Sequence, residues 1–532
     1  MILTAMKNTY LTLTLTFTFC FTGCSNFLNE TPNRSGSALI YHMDQLYNLM
    51  GDFQLYRNGY PWNDLIYLGD AVEYPPYFVK ETNRSGLDYS VYSWDVETLE
   101  KNTSAVNCTW IPAYNHLFKF NTVLENMDNV IQSTPAIRKE VEGEALFGRA
   151  FYHFLLLVQY ALWDEEAPGI GYRTNTLPND IPQRETVKYT LDMIYQDLDN
   201  AEASLIEAGR TVFEIKRNFR PTVPTVKALK ARIDLYRGNY ASALENANAA
   251  LAAYDVLQDF KNDDLYRVFE QDVINVLDQN NQVVVGTIPY RITTNLQTRA
   301  IQAVSEYVEF YLPQTTEVYY ANKNWYTISE AYYNLFDHEN DERWKRFYNN
   351  NAVIYHLIAK TMTLPGNTTA TPRCFTWENQ QAMKEANRHV YMRFINFAAS
   401  PGKYYILGLT TAEMYLIKAE CLSRAGNTAE AANVLRALRR TRFTTTAAAD
   451  NIGGSLHEVL DERAREMSEI WRFFDIKRLN GADKANIKIM RTILTNPTDI
   501  NSTQMLEVGP NDTRWAVPID YQQMILMNWK QN

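Results

Sequence analysis

The chain predicts a mainly α-helical fold, a scaffold of close-packed helical hairpins carrying an irregular, partly β insertion. Three observations lead there. Two segments share one spacing of small residues: Ala231, Gly238 and Ala243 in the first, Ala419, Gly426 and Ala431 in the second. Long apolar stretches with helical period lie before them. Residues 254–402 lose that period and mix strand-like pieces with turns and aromatics.

The elements follow in chain order. Residues 38–60 read as helical, with Leu39, Ile40, Met43, Leu46, Tyr47 and Met50 on one face. Tyr60 to Thr109 carries loop signals, among them Pro61, Gly69, Pro75, Pro76 and Gly86. A helix resumes at Trp110 and runs through Leu124. Glu142 to Trp163 is strongly apolar, but its His153 and Gln159 and its short length predict a buried core helix rather than a membrane span. Thr186 to Leu205 is amphipathic through Leu191, Ile194, Leu198 and Ala201. The first repeat occupies 225–253 and the second about 410–443. Small residues let antiparallel helices approach closely, and a glycine near the turn permits angles that other residues resist. That is the pattern of a tetratricopeptide (TPR) hairpin. Within the insertion, Val283 to Ile288 reads as a strand. A charged helix is expected from Leu456 to Leu479, followed by a mixed tail to Asn532.

Composition narrows the function. The 532 residues have 46% hydrophobic content, enough for a sizeable core, and a net charge of −10. Without basic runs, a nucleic-acid partner is not expected. Five cysteines (Cys20, Cys24, Cys108, Cys374 and Cys421) form no CxxC pair, so buried free thiols are expected in the body of the chain. Seven scattered histidines show no HxH or HExxH spacing, and neither GxSxG nor a phosphate-binding glycine loop occurs. No cofactor, metal or catalytic centre is expected. Asp337 to Glu342 is acidic but lacks the glycine and alternating ligands of an EF-hand, so it reads as a solvated turn. Glu462, Glu466 and Asp475 could be catalytic carboxylates, but Arg463, Arg465, Arg472 and Arg478 interleave with them at helical spacings, as in ion pairs between helices.

The amino terminus reads as a lipoprotein leader. Lys7 precedes a threonine-rich apolar stretch from Tyr10 to Phe21, too short to span a bilayer. Phe21, Thr22, Gly23 and Cys24 match a lipobox, predicting cleavage after residue 23 and acylation at Cys24, with palmitate-like chains anchoring the protein. Residues 1–23 are thus read as signal peptide, 24–37 as a lipidated tether, and 38–532 as one domain with TPR-type helices near 110–253 and 410–480.

Several ordered blocks resemble the SusD/RagB family, surface lipoproteins of Bacteroidetes-type bacteria. Cys24 is followed by Phe27, Leu28 and Pro32. Trp110, Tyr114 and Asn121 lie on one helix, and Glu144 to Phe154 resembles the family's EARFLRAFYYF segment with Gly148 in place of a larger residue. Thr411 to Glu420 resembles AEVYLIRAE. Glu462 to Glu466 and Trp471 to Arg478 resemble its paired Arg/Glu and Trp/Asp/Arg blocks, and Asp341 with Arg343 its D-x-R element. Near the carboxyl end, Pro518 and Ile519 lack the family's second proline, and Asn528-Trp529 stands for Asn-Pro.

The resemblance implies a SusD-like fold and a non-catalytic role: capture of oligosaccharides at the exterior face of the outer membrane, for delivery to a SusC-like TonB-dependent transporter. It also implies ligand contacts in the two irregular regions, without fixing any residue. Sugars present C–H faces that pack on aromatic rings and hydroxyls that need polar partners. The first region offers Trp62, Tyr67, Tyr77 and Trp94 with Asp70, Arg84 and Asn102. The second offers Tyr290, Arg291, Tyr319, Tyr320, Trp325 and Tyr326 with Asn322 and Asn324. Trp94 and Trp325 lead these sets. Two other readings stand beside glycan capture: a TPR surface that binds a peptide or protein, and a surface glycoside hydrolase.

Overall fold

The computed structural model describes residues 40–52, 54–57, 67–73, 87–101, 103–180, 182–261, 271–277, 283–289, 310–312, 315–319, 327–350, 389–391, 395–396, 402–406, 408–467, 469–496, 499 and 501–532. The expected signal peptide, Cys24 and the tether lie outside them.

Helices dominate. The first, α1 (Met43–Met50), buries Met43, Leu46 and Met50. Two short helices, α2 (Leu87–Tyr92) and α3 (Val96–Lys101), occupy part of the stretch expected to be loop. They lead into α4 (Thr103–Asn126), which starts earlier than the sequence suggested. Next come α5 (Pro135–Tyr160) and α6 (Val187–Glu207). Both open on a threonine whose hydroxyl accepts from a backbone N–H of the first turn, Thr134 from Ile137 and Thr186 from Tyr189, and Pro135 adds a preset φ. The apolar run at the end of α5 is fully buried protein core. Among the described residues no helix is long and apolar enough to cross a membrane.

The first repeat is α7 (Val223–Arg237) with α8 (Tyr240–Ala253), and the second is α9 (Thr411–Arg424) with α10 (Thr428–Arg439). Their turns are built alike. Gly238 and Gly426 have φ of +79° and +82°, the left-handed conformation that glycine adopts cheaply. In each the following asparagine N–H reaches back to close the helix, Asn239 to Asp234 O and Asn427 to Leu422 O, both at 2.9 Å. Ala231, Ala243, Ala419 and Ala431 are all fully buried where the helices touch.

The helices form one continuous array: α4 packs on α5, α5 on α6, α6 on α7, α7 on α8, α8 on α9 and α9 on α10. Because α8 meets α9 directly, the insertion is an excursion from an unbroken stack. The excursion is tied down where it leaves: the Phe260 N–H donates to Thr441 O at 3.0 Å, and the Arg442 guanidinium lies over the Phe260 ring.

The strands of the insertion are short, and every described pairing is antiparallel. Strand β1 (Val72–Glu73) precedes the insertion. Then come β2 (Gln271–Leu277), β3 (Val283–Pro289), β4 (Phe310–Leu312), β5 (Thr315–Tyr319), β6 (Thr327–Ile328), β7 (Tyr348–Asn350), β8 (His389–Tyr391), β9 (Ile395–Asn396), β10 (Gly402–Ile406) and β11 (Leu409–Thr410). The pairs are β1–β6, β2–β3, β4–β11 and β7–β8, with a three-stranded sheet in the order β5-β10-β9.

Toward the carboxyl end, the expected single helix over 456–479 is two. Helix α11 (Leu456–Glu466) stops where Met467 turns extended, and α12 (Glu469–Ala482) sets off again. A hairpin of β12 (Ile489–Leu494) and β13 (Thr503–Val508) and the helix α13 (Tyr521–Met527) complete the chain.

Buried ion pairs knit the helices together. Arg232 of α7 holds Glu413 of α9 through two hydrogen bonds, at 2.8 and 2.5 Å. Arg478 of α12 grips Glu420 of α9 at 2.9 and 2.8 Å, and Arg463 of α11 meets Asp475 of α12 at 2.9 Å. Such pairs stabilise only when geometry and hydrogen bonding are complete, because each charge has given up its hydration.

Candidate functional site

The two irregular regions singled out by the sequence meet at one point. Strand β1 pairs with β6 in the register Val72 to Ile328 and Glu73 to Thr327. The ladder continues into a cap: the Ser329 N–H donates to Ala71 O at 2.8 Å, while the Ser329 hydroxyl accepts from the Tyr332 N–H. Asp70 lies two residues before β1, and in sequence Trp325 lies two residues before β6.

Asp70 is half-buried and ion-paired. Arg472 of α12 donates to both of its carboxylate oxygens, at 2.8 and 2.9 Å. A second arginine, Arg491 of β12, is fully enclosed and finds no carboxylate. It donates instead to the carbonyls of Tyr67, Leu68, Gly69 and Tyr92, joining the approach to β1 to the end of α2. Burial lowers its pKa to about 10. The sequence analysis missed Arg491; an arginine alternating with Met490 and Thr492 on a hairpin reads as a solvent-facing strand position.

Trp94 closes α2 with φ of +55°, a left-handed angle rare for a large side chain. Only 5% of it is exposed. Its ring lies edge-on against Phe473 and Trp515, each with centroids 5.8 Å away. The indole that led the first set thus serves as packing between the first irregular region, α12 and the carboxyl-terminal segment. Trp62, Arg84, Asn102, Tyr290, Tyr320 and Trp325 lie outside the described residues, as do Tyr77, Arg291, Asn322, Asn324 and Tyr326.

The carboxylates that could have suggested catalysis are saturated. Glu462 accepts from Arg343, Arg439 and Arg465 at 2.7, 2.7 and 2.8 Å. Glu466 accepts from Arg343 and Arg442, and Asp475 from Arg463 and Arg478. Although desolvation opposes it, the surrounding guanidinium groups hold the Glu462 carboxyl well below its ordinary range, and those beside Asp475 lower it too. A general acid needs a proton to give and a substrate within reach; Glu462 and Asp475 are held ionised and enclosed, and Glu466 is bound up by two arginines.

The expected solvated turn at Asp337 to Glu342 needs correction. Asp337 does cap a turn, accepting from the Glu339 and Asn340 N–H groups. Asp341, however, is fully buried and held by Arg343. The charge was legible, but the Glu462 and Glu466 carboxylates that hold its partner Arg343 come from α11, over a hundred residues on. No group of three or more potential metal ligands occurs among the described residues.

Histidine is likewise structural. His153 accepts the Arg173 N–H at Nε2, 2.9 Å away, so its Nδ1 carries the proton and donates to Arg149 O at 2.8 Å. Burial lowers its pKa to about 3, and the ring stays neutral.

Family models match most of the chain in two parts. One, described as "Starch-binding associating with outer membrane", matches residues 54–235. The other, described as "SusD family", matches residues 300–525. No curated protein matches the sequence. Solved structures do. A SusD superfamily protein from Bacteroides vulgatus is 17% identical with a TM-score of 0.59, covering 93% of this chain and 99% of its own. A SusD-like carbohydrate-binding protein from the same species is 14% identical with a TM-score of 0.57, covering 92% of this chain and 97% of its own. A laminarin-binding SusD-like protein is 15% identical with a TM-score of 0.55, covering 93% and 99%. At such identities these neighbours show the fold alone; the two family models, which together match most of the chain, place it in the SusD family.

Proposed function

We propose that this protein is a non-catalytic glycan-binding lipoprotein of the outer membrane. It is anchored through Cys24, faces the exterior, and passes oligosaccharides to a SusC-like TonB-dependent transporter. The observation that supports the reading is the β1–β6 ladder, which pairs a strand of the first irregular region with a strand of the second on a helical array. Rigid scaffolds that present loops are how folds host binding sites. The known binding of two structural neighbours, one to carbohydrate and one to laminarin, supports a glycan as the ligand.

Within this reading Trp325 is the first ligand contact, with Trp62, Arg84, Asn102, Tyr290 and Tyr320 as further contacts. Trp94 contributes through its packing on Phe473 and Trp515, and Asp70 through its pair with Arg472. Affinity is set by stacking of sugar faces on aromatic rings, each worth about 1 kcal/mol.

The test is electrophoresis of the purified protein through gels containing plant, host or microbial polysaccharides. Retardation by one class, lost in Trp325→Ala, is the expected result. Silence across every class would favour a peptide cargo, while release of reducing ends would favour hydrolysis. Anchoring is checked separately by labelling cells with a palmitate analogue, which Cys24→Ser should abolish.

A further inference from the structure

Among the described residues, most buried cations face carboxylates: Arg232, Arg343, Arg463 and Arg478 each hold at least one. Arg491 is one exception: four carbonyls hold its two terminal nitrogens, and its Nε–H is left without a partner. Lys477 of α12 is another, and it is not satisfied. It is 2% exposed, and its ammonium donates to a single acceptor, Val158 O at 2.7 Å. An ammonium carries three donors, so two N–H groups are left over.

Lys477 lines a cavity of about 160 Å³ between the end of α5, α12 and the segment after β13. The indoles of Trp163 and Trp515 form two of its walls, and Pro510 adds apolar surface. Both indole N–H groups are already used, Trp163 on Tyr236 O and Trp515 on Gly509 O. The side-chain amide of Asn480 is also taken, donating to Ile487 O and accepting from its N–H. What the lining offers a ligand is therefore an ammonium with open donors in the company of two indoles. A monoanion is the complement. Asp164 and Asp512 also line the cavity and disfavour a dianion such as phosphate, although Arg514 partly offsets Asp512 at 2.6 Å.

We propose that this cavity binds the carboxylate of a small acid, either a uronic acid or a short aliphatic acid, on the Lys477 ammonium. The site stands apart from the β1–β6 ladder and does not rest on glycan capture.

Binding should depend on pH. Burial draws Lys477 down to about 7, and a bound carboxylate would draw it back up. The other charged groups facing it are Asp164, Asp512 and the exposed Lys484 from the cavity walls. On its own helix, Asp475 and Arg478 are paired with each other.

The experiment is calorimetric titration of the purified protein with glucuronate, propionate and glucose at pH 6 and pH 9. Saturable binding of an acid at pH 6 is expected, with no binding of glucose. The affinity should fall by about ten-fold per pH unit above 7, with proton uptake at pH 8 revealed by the buffer dependence of the heat. Binding of glucuronate alone would identify the source as an acidic sugar, and equal binding of propionate a free acid. Lys477→Met should abolish binding, while Lys188→Ala, at an exposed lysine of α6 paired with Asp192, should leave it within two-fold. Should Lys477→Met fail to fold, the pH series and proton uptake of the parent protein still decide. Absence of acid binding at pH 6, or affinities for acid and glucose that do not differ, would overturn the proposal. A polysaccharide gel that stays silent while the acid binds would count against glycan capture alone.

Discussion

Gly148 shows how a single missing methyl sets a helix contact. It lies on α5 where α4 crosses, and a Cβ there would sit 2.3 Å from the Phe120 ring. Phe120 is itself fully buried, so neither side can yield freely. Gly148→Ala should therefore lower stability by about 1–3 kcal/mol despite alanine's better helix propensity. Adding Phe120→Leu should recover part of that loss. Urea midpoints of the two variants decide, and a single variant as stable as the parent would refute the packing argument. Lys477 makes the opposite case, a residue whose removal should help. Its pKa is about 7 in the folded protein against an ordinary 10.5. Below pH 7 both folded and unfolded chains hold the proton, and the cost of the buried charge is fully present. Between 7 and 10.5 the unfolded chain binds more protons, so stability rises with pH. Lys477→Met should stabilise by about 1–3 kcal/mol at pH 6, allowing for the lost bond to Val158, and the gain should vanish toward pH 10. A gain that stayed constant with pH would mean that charge is not its cause.

Among the elements, the paired turns give the sharpest expectation. At Gly426 an added Cβ would meet nothing within 4 Å, so only backbone strain at φ +82° opposes alanine. Gly426→Ala should cost about 1–2 kcal/mol, and Gly426→Asn less, because asparagine tolerates the left-handed region. Equal thermal midpoints for alanine and asparagine would count against that account. The same turns explain why so much of the scaffold was legible. Small residues at fixed spacing and a glycine at the turn are local signals, and α6 to α10 follow them within a few residues. The break between α11 and α12 was not legible, since Met467 and its neighbours include neither glycine nor proline. What ends α11 there is tertiary: α12 must turn back so that Arg463 can reach Asp475. Helices α2 and α3 were missed for a related reason, as glycine and proline around them dominate the local reading. At the candidate site, composition marked the aromatics but could not orient them. Nothing near Trp94 in sequence reveals that Phe473 and Trp515 enclose it. Asp70 likewise looked available until Arg472, some four hundred residues on, took it.

Across the whole molecule, the ion-pair network decides both the shape of the scaffold and its tolerance of acid. It links α7 and α9 through Arg232 and Glu413, α9 and α12 through Glu420 and Arg478, and α11 to the 341–343 segment through Glu462 and Arg343. Through α12 it also sets the place of Arg472, and so of Asp70 beside the β1–β6 ladder. Burial raises the cost of every charge in it, but the arginines win: Glu420, Glu462 and Asp475 all stay below their ordinary pKa. The folded-state values are depressed, so the stability they add is present above the unfolded carboxylate range and is lost as pH falls through the folded values. Unfolding should accordingly set in as the pH drops below about 4. Glu462→Ala removes the acceptor shared by three arginines and leaves their charges enclosed, which should cost about 3–5 kcal/mol at pH 7. Removing Glu97, whose pair with Lys101 lies in solvent, should leave the urea midpoint unchanged. The gap between Glu462→Ala and the parent should then narrow as pH approaches 3, because protonation strips the parent of the same interaction. A gap independent of pH would show that Glu462 acts by filling space, and that the network's charges contribute little to holding the array together.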